Sequence, residues 1–216
     1  MLVQRLELGP HQRILDLGCG WGELLLRSVA AAGEGTTGTG VDTDVEGLER
    51  GRALAADRGL DERVTFKNTE SAAWDEPAER VLCVGASHAW PSVAAALAAL
   101  ARLVVPGGRL LFGEGCWERP PTEAAAALFG DDVIALQDLV QHAVAAGWRV
   151  LHMSTASQRE WDDFESTWRA GRQEWLVAHP DDERASEVRQ VLDEQLHEYV
   201  NAYRGVLGFC YLVLTR

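Results

Sequence analysis

The stretch Ile14-Leu15-Asp16-Leu17-Gly18-Cys19-Gly20-Trp21-Gly22-Glu23 decides the fold. An apolar run, Arg13–Leu17, leads into it and is typical of a buried strand, and three glycines spaced two apart follow. A helical pattern, Glu23–Ala32, begins directly after them. Glycine has no Cβ, so it permits a tight turn and lets a ligand approach the backbone. The stretch predicts a strand, a ligand-binding turn and a helix whose first N–H groups face an electron-rich ligand group.

Strand and helix patterns alternate outward from this turn. Further strands are predicted at Gly38–Asp42, Arg63–Lys67, Arg80–Val84, Arg109–Phe112, Arg149–Ser154 and Phe209–Thr215. Further helices are predicted at Val45–Arg58, Ser92–Val104, Glu123–Phe129 and Val133–Ala146. Short turns join these segments, including Pro106-Gly107-Gly108 before the fifth strand. The pattern indicates a doubly wound α/β fold, with a mostly parallel sheet and helices on both faces.

The domain organisation predicted from the sequence is simple. No repeat, linker or second domain is apparent, so we expect residues 1–216 to form one domain. A polar and aromatic helical stretch at about 158–204 is interpreted as an insertion between the sixth and seventh strands. Thr122 follows Pro120-Pro121 and is predicted to cap the helix after it, because its hydroxyl can accept from free N–H groups.

Composition and charge exclude several classes of function. The chain is 47% hydrophobic and 25% charged, which is ordinary for a globular domain. No apolar run reaches the roughly 18 residues of a membrane span. A formal net charge of −13 argues against nucleic acid and anionic membranes as partners. There is no secretory leader pattern, and the four cysteines are widely spaced without metal-ligand spacing. We therefore expect a cytoplasmic protein with reduced thiols and no metal site.

The Ile14–Glu23 stretch resembles motif I of the class I S-adenosylmethionine-dependent methyltransferases, and the likeness extends over about the first 115 residues. The resemblance implies a Rossmann-like, seven-stranded sheet with an antiparallel last strand. It also implies S-adenosylmethionine as methyl donor and S-adenosylhomocysteine as product. A dinucleotide loop is disfavoured, because G-x-G-x-x-G counted from Gly18 needs glycine where Glu23 stands. The carboxylates of Asp16 and Glu23 would also repel a pyrophosphate.

The resemblance implies a donor site in the loops that follow the first four strands. Asp16 would lie near the methionine ammonium group, Asp42 would accept both ribose hydroxyls, and Glu70 would accept from the adenine amine. The complete set of predicted donor-binding residues is Asp16, Gly18, Cys19, Gly20, Trp21, Gly22, Asp42, Thr43, Glu70, Ser71, Gly85 and Ser87.

Four residues are candidates for catalysis or acceptor binding. His88 follows the fourth strand, beside the transferable methyl in the family's arrangement, and imidazole suits a general base near neutral pH. The alternative is that His88 is a wall residue packed against the donor. Glu114 and Trp117 follow the fifth strand at the crevice where ligands bind. They and Trp161, in the insertion, are predicted to contact the acceptor, although core packing would explain Trp117 equally well.

The sequence predicts methyl transfer by in-line displacement to an unidentified small-molecule acceptor, with the oligomeric state open. The segment after the fourth strand reads GASHAWP, whereas DNA amino-methyltransferases carry (N/D)PP(Y/F) there. No cysteine follows a proline, as cytosine C5 enzymes require. One alternative is a non-catalytic S-adenosylmethionine-binding regulatory or partner subunit. A less favoured one is a nicotinamide-dependent oxidoreductase.

Overall fold

The computed structural model describes residues 2–216, with side chains from residue 4 onward. The chain divides into two compact units. The sheet unit comprises the residues up to Glu114, Gln137–Ser154 and Cys210–Arg216. The helical unit comprises Gly115–Leu136 and Thr155–Phe209. This division into units does not test the single domain with an insertion that the sequence predicts, so that organisation stays a prediction.

One mixed sheet runs through the described chain, in the order β3-β2-β1-β4-β5-β8-β7, with a short strand β6 paired to β5 beside this path. Neighbouring strands from β3 to β5 are parallel, whereas β8 runs antiparallel to β5 and β7. The strands are β1 Arg13–Leu17, β2 Thr37–Asp42, β3 Val64–Asn68, β4 Ala78–Val84, β5 Val104–Trp117, β6 Ile134–Ala135, β7 Arg149–Thr155 and β8 Leu207–Thr215. The predicted Rossmann-like sheet with an antiparallel last strand is confirmed.

Helices flank the sheet on both sides. The α-helices are α1 Leu2–Arg5, α2 Glu23–Ala32, α3 Val45–Asp57, α4 Val93–Leu103, α5 Glu123–Phe129, α6 Leu136–Ala145, α7 Gln158–Ala178 and α8 Ala185–Glu198. A π-helical turn, Tyr199–Tyr203, continues α8, and 3₁₀ turns occur at Ser71–Ala73, Ser87–Ala89 and Gly130–Asp132. Within the described residues, no helix is both long and apolar enough to cross a membrane.

The register of the parallel strands brings their carboxyl ends together. Asp16 of β1 pairs with Gly40 of β2 and Leu82 of β4, and Asp42 at the end of β2 pairs with Asn68 at the end of β3. The loops that leave these strands therefore begin at one edge of the sheet, where ligands bind in open α/β sheets.

The core of the sheet unit explains why β1 and α2 form where they do. Ile14 of β1 is buried, and α2 turns Leu25, Leu26 and Val29 toward the same cluster. Each fully buried side chain of this kind contributes about 1.5–3 kcal/mol relative to its exposure in water. A short apolar strand and an amphipathic helix can therefore hold the intervening glycine loop in place.

Two predicted elements differ from the structure by more than two residues at a boundary, and both differences have a physical reason. The fifth strand was predicted at Arg109–Phe112 but extends from Val104 to Trp117. Ala78 pairs with Val104 and Arg80 with Arg109, so the predicted Pro-Gly-Gly turn is a bulge inside one strand. The predicted helix Val133–Ala146 begins only at Leu136, because Ile134 and Ala135 pair with β5.

The helical unit has its own aromatic core. Trp117 and Leu207 are buried there, and Phe129, Trp161 and Tyr203 pack against them. Helix α7 begins with a capping box in which Ser157 and Glu160 bond each other's backbone N–H groups. The predicted N-cap at Thr122 is confirmed, since its hydroxyl accepts from the Ala125 N–H at 3.0 Å.

The two outermost strands of the sheet, β3 and β7, differ in the side chains that they expose. The outer strand β3 carries Lys67, the single lysine of the sequence, which is exposed. At the other end, all residues of β7 are exposed or partly exposed. Val150, Leu151 and Met153 are its large apolar side chains.

Candidate functional site

A cleft of about 440 Å³ opens in the sheet unit at the loops that follow β1, β2, β3 and β4. Its volume lies within the range of about 300–1,000 Å³ that is usual for small-molecule and cofactor sites. The lining residues are Gly18, Asp42, Thr43, Glu70, Ser71, Gly85, Ala86, His88 and Ala89. Sequence reasoning identified seven of them and missed the two alanines, which carry no motif.

The glycine loop after β1 requires glycine for two separate reasons. Gly18, Gly20 and Gly22 all have positive φ values of 52° to 73°, which side-chain-bearing residues rarely adopt. A Cβ at Gly18 would also lie 2.2 Å from the Ala86 Cβ, and one at Gly22 would lie 2.4 Å from the Phe66 ring. The loop is therefore packed closely against the loop that follows β4, and this close approach forms one wall of the cleft.

Asp42 joins the loops of β1 and β2. One carboxylate oxygen, Oδ2, accepts from the Gly20 N–H at 2.7 Å, and the other, Oδ1, accepts from the Asp44 N–H at 2.9 Å. A carboxylate has about four acceptor positions, so each oxygen can accept a further hydrogen bond from a ligand in the cleft. Asp42 is partly exposed on the cleft wall, where two neighbouring hydroxyl groups could reach it.

Asp16 lies in a different environment from Asp42. Only 4% of Asp16 is exposed. Burial, and secondarily the negative charge of Asp42, raise the pKa of the Asp16 carboxyl to about 7, although the Leu25 backbone N–H bonds to it. A cation near this carboxyl would favour its ionised form, because the uncompensated charge is what makes ionisation costly.

Three other predicted donor-binding residues, Cys19, Trp21 and Ser87, do not line the cleft. Cys19 is partly buried, and burial followed by the charge of Asp16 raises the pKa of its thiol, which disfavours the reactive thiolate. Trp21 is 45% exposed, with the Arg50 guanidinium 4.5 Å from its ring centre. Ser87 is buried at the start of the 3₁₀ turn that carries His88.

Backbone hydrogen bonds place His88 on the cleft wall. The Ala89 N–H donates to the Ala86 carbonyl at 3.2 Å, and the Trp90 N–H donates to the Ser87 carbonyl at 3.0 Å. This turn leaves the imidazole exposed at the cleft. A proton acceptor at that place can serve a ligand bound against Gly85 and Asp42.

The loop after β3 supplies the third side of the cleft. Glu70 is exposed there, whereas Ser71 is buried and begins a 3₁₀ turn. The Asn68 side chain donates to the carbonyls of Asp42 and Thr43, at 3.3 and 3.1 Å. Asn68 was not singled out from the sequence, and it fixes the β2 loop relative to β3.

The predicted acceptor residues are divided between the two units. Glu114 is partly buried near the end of the sheet unit's part of β5. Trp117 is buried in the helical unit, edge-on to Phe129 with ring centres 5.8 Å apart. Trp161 packs in the same cluster, and its buried indole Nε1 has no hydrogen-bond partner among the described atoms. Core packing thus accounts for Trp117, whereas Trp161 retains an unused donor.

No group of three or more metal-ligating side chains is found within the described part of the chain. The residues of the cleft fit an organic cofactor: backbone at Gly18 and Gly85 that a ligand can approach closely, and two carboxylates, Asp42 and Glu70, that can accept from hydroxyl and amine groups.

Comparison with known proteins places this cleft in context. A family model described as "Methyltransferase domain" matches residues 14–108, from the strand before the glycine loop to the bulge of β5. The uncharacterized protein YjhP of Escherichia coli (strain K12) is 35% identical over 211 residues, which span 94% of this chain and 84% of YjhP.

Two solved structures of methyltransferases are similar to this chain over nearly its whole length. An S-adenosylmethionine-dependent methyltransferase from Geobacter sulfurreducens, in complex with S-adenosyl-L-homocysteine, is 34% identical with a TM-score of 0.85, covering 99% of this chain and 88% of that one. A methyltransferase of the same description from Thiobacillus denitrificans is 32% identical with a TM-score of 0.85, covering 99% and 88%. It too contains S-adenosyl-L-homocysteine.

Proposed function

Because the chain belongs to the S-adenosylmethionine-dependent methyltransferases, we propose that it methylates a small-molecule acceptor with the donor bound in the cleft of the sheet unit. The observation that carries the placement of the donor is the convergence of Gly18, Asp42, Glu70 and His88 on one cleft. No single one of these residues is diagnostic, but together they offer a close backbone approach and hydrogen-bond acceptors.

Each part of the donor has a matching group in or beside the cleft. Asp42 accepts hydrogen bonds from the ribose hydroxyls with the acceptor positions that the loop leaves unused. Glu70 accepts from the adenine amine, and Ser71 packs beside it. Asp16 does not line the cleft but lies close enough to Asp42 to be affected by its charge, and its ionised form, which a nearby cation favours, would complement the positively charged methionine end.

The donor supplies a methyl group on a sulfonium, which is already activated for in-line displacement. The acceptor's lone pair forms the new bond to the methyl carbon as the carbon–sulfur bond breaks, and a neutral thioether leaves. The protein aligns the acceptor with the methyl group and excludes water from the cleft. A protonated acceptor must also lose a proton, and His88 is the group on the cleft wall that takes it.

The His88 role is tested by pH–rate profiles once an acceptor is known. His88→Ala should lower kcat by about 10²–10⁴-fold, the range for general acid–base catalysis, with little change in the dissociation constant of the donor. His11→Ala, at an exposed histidine on the loop before β1, is the matched control. A loss of less than about tenfold would show that His88 is a wall residue.

Two measurements test the proposed function as a whole. Calorimetry should show binding of S-adenosylmethionine and S-adenosylhomocysteine, and none of NAD. An assay over pooled small-molecule acceptors should then show release of S-adenosylhomocysteine above the rate without acceptor. Tight donor binding without release from any pool would favour a non-catalytic donor-binding subunit.

A further inference from the structure

The strand β7 closes one end of the sheet, and its outer edge has no partner strand within the described residues. An edge strand presents unpaired N–H and C=O groups to which another strand can add. Proteins usually protect such edges with charged side chains, especially lysine, with proline or with a bulge. The sequence of β7, RVLHMST, has no lysine, acidic residue or proline, and its one formally charged side chain, Arg149, stands at the first position of the strand.

Three of the seven side chains of β7 are large, apolar and accessible. Val150 is 37% exposed, Leu151 is 46% exposed and Met153 is 48% exposed. Residues 150 and 151 point to opposite faces of the sheet, because side chains alternate along a strand. Both faces of this edge therefore expose apolar surface, and removing that surface from water is favourable.

The strand is also complementary to itself. It has seven residues with His152 at the midpoint. Antiparallel pairing of two copies about a two-fold axis at His152 places Leu151 opposite Met153, Val150 opposite Ser154 and Arg149 opposite Thr155. Apolar side chains then face each other across the strands, which stabilises antiparallel pairs. The two Arg149 side chains lie about 20 Å apart, at a rise of roughly 3.4 Å per residue.

Charge is compatible with a second copy at this edge. The chain carries 33 acidic residues and a net charge of −13, so two copies repel each other over most orientations. Between Asp138 and Glu160, however, there is no acidic residue, and the charged side chains are Arg149 and Arg159. Two copies that meet along β7 therefore bring together strands that carry no carboxylate.

We propose that two copies of this chain associate through antiparallel pairing of their β7 strands about a two-fold axis at His152. The interface is isologous, because the same patch serves both copies, and it closes the exposed edge of both sheets. This inference rests on the sheet edge alone and is independent of the donor and acceptor of the reaction.

Sedimentation velocity on the full chain tests the proposal. The wild type should be dimeric at micromolar concentration, and Leu151→Lys should raise the dissociation constant of the dimer at least about tenfold, since lysine opposes edge pairing. Val177→Lys, at an 83% exposed position of α7, is the matched control and should remain dimeric. A monomeric wild type, or a dimer unaffected by Leu151→Lys, would overturn the proposal.

Crosslinking gives a second measurement that does not depend on weakening the dimer. Directly opposed residues of an antiparallel pair have Cβ atoms about 4.5–5.5 Å apart. A short bismaleimide should therefore join two chains of His152→Cys and fail to join Val177→Cys. Three of the four native cysteines are buried and Cys19 is partly buried, so the wild type controls for their reaction. Equal crosslinking of the two variants would contradict pairing at His152.

Discussion

Asp42 has both a structural and a proposed binding role in one side chain. Its two oxygens hold the glycine loop and the start of α3, through the Gly20 and Asp44 N–H groups. The ribose hydroxyls would donate to the acceptor positions of Asp42 that these two N–H groups leave unused. A substitution at this position therefore affects the shape of the cleft and the contact with the donor together.

Asp42→Ala should weaken the binding of S-adenosylmethionine by about 1–3 kcal/mol, the scale for hydrogen bonds to a charged group. Calorimetry measures the change directly. Asp44→Ala is the matched control, because Asp44 is exposed and its side chain makes no capping bond to α3. Unchanged donor affinity in Asp42→Ala would contradict the proposed ribose contact.

The pKa of Asp16 predicts how stability changes with pH. The folded chain holds this proton up to about pH 7, whereas an unfolded aspartate loses it near pH 4. Between these values the folded state binds more protons, so the free energy of unfolding falls as pH rises through that window. The contribution of the protonated Asp16 to the free energy of unfolding is fully present below about pH 4 and is lost as the pH rises through about 7.

Asp16→Asn should remove this dependence. Between pH 5 and pH 8 the wild type should lose about 3 kcal/mol more unfolding free energy than Asp16→Asn, because the window from pH 5 to the folded pKa of about 7 spans about two units at 1.36 kcal/mol each. Urea denaturation of the ligand-free protein at both pH values checks it. Asp44→Asn should behave like the wild type, and parallel pH profiles for wild type and Asp16→Asn would contradict the assignment.

Helix α7 contains a buried ion pair. Glu165 and Arg169 are 2.7 Å apart with side chains about 10% and 7% exposed, and the Tyr203 hydroxyl donates to the second oxygen of Glu165 at 2.9 Å. These contacts join α7 to the π-helical turn before β8. Removing one partner leaves the other charge buried without compensation.

Arg169→Ala should therefore destabilise the protein by about 3–5 kcal/mol in urea denaturation. The double variant Glu165→Leu/Arg169→Met should recover most of that loss, because it removes both charges together. If the double variant were as unstable as Arg169→Ala, lost packing rather than the unpaired carboxylate would be the cause.

The elements that sequence reasoning placed well are those whose pattern is local. Strand β1 and helix α2 were predicted with the bounds that the structure has, since an apolar run, three glycines and an amphipathic period define them. The strand β6 has two residues, and only its pairing with β5 distinguishes it from a helix start. The bulge of β5 likewise depends on its partner β4, which a Pro-Gly-Gly pattern does not reveal.

The candidate site was predictable to the same extent. Gly18 lies in motif I, and the family resemblance implied a donor-binding role for Asp42, so both could be assigned to the cleft from the sequence. Ala86 faces Gly18 from another loop, and Asn68 bonds the β2 loop from β3, and neither contact leaves a signal in the sequence. The burial of Asp16 agrees with the predicted buried strand Arg13–Leu17, but its raised pKa could not be foreseen, since it also depends on the nearby charge of Asp42.

The net charge of −13 should make the stability of the whole chain depend on salt concentration. Self-repulsion among like charges opposes the compact state, and salt screens it as the Debye length falls from about 30 Å at 0.01 M to about 10 Å at 0.1 M. The urea midpoint at pH 8 should therefore rise between 0.01 M and 0.1 M NaCl. Near the isoelectric point of about 4.8 the same change should have little effect. Equal salt dependence at both pH values would contradict this explanation.

The exposed Lys67 on the outer strand β3 has a practical consequence. An amine-reactive dye has one side-chain target in this chain, so labelling needs no engineered cysteine. The next residue, Asn68, bonds the carbonyls of Asp42 and Thr43 at the cleft wall. A fluorophore on Lys67 would therefore lie next to the proposed donor-binding loop, and a change in its emission would allow donor binding to be titrated on the native sequence.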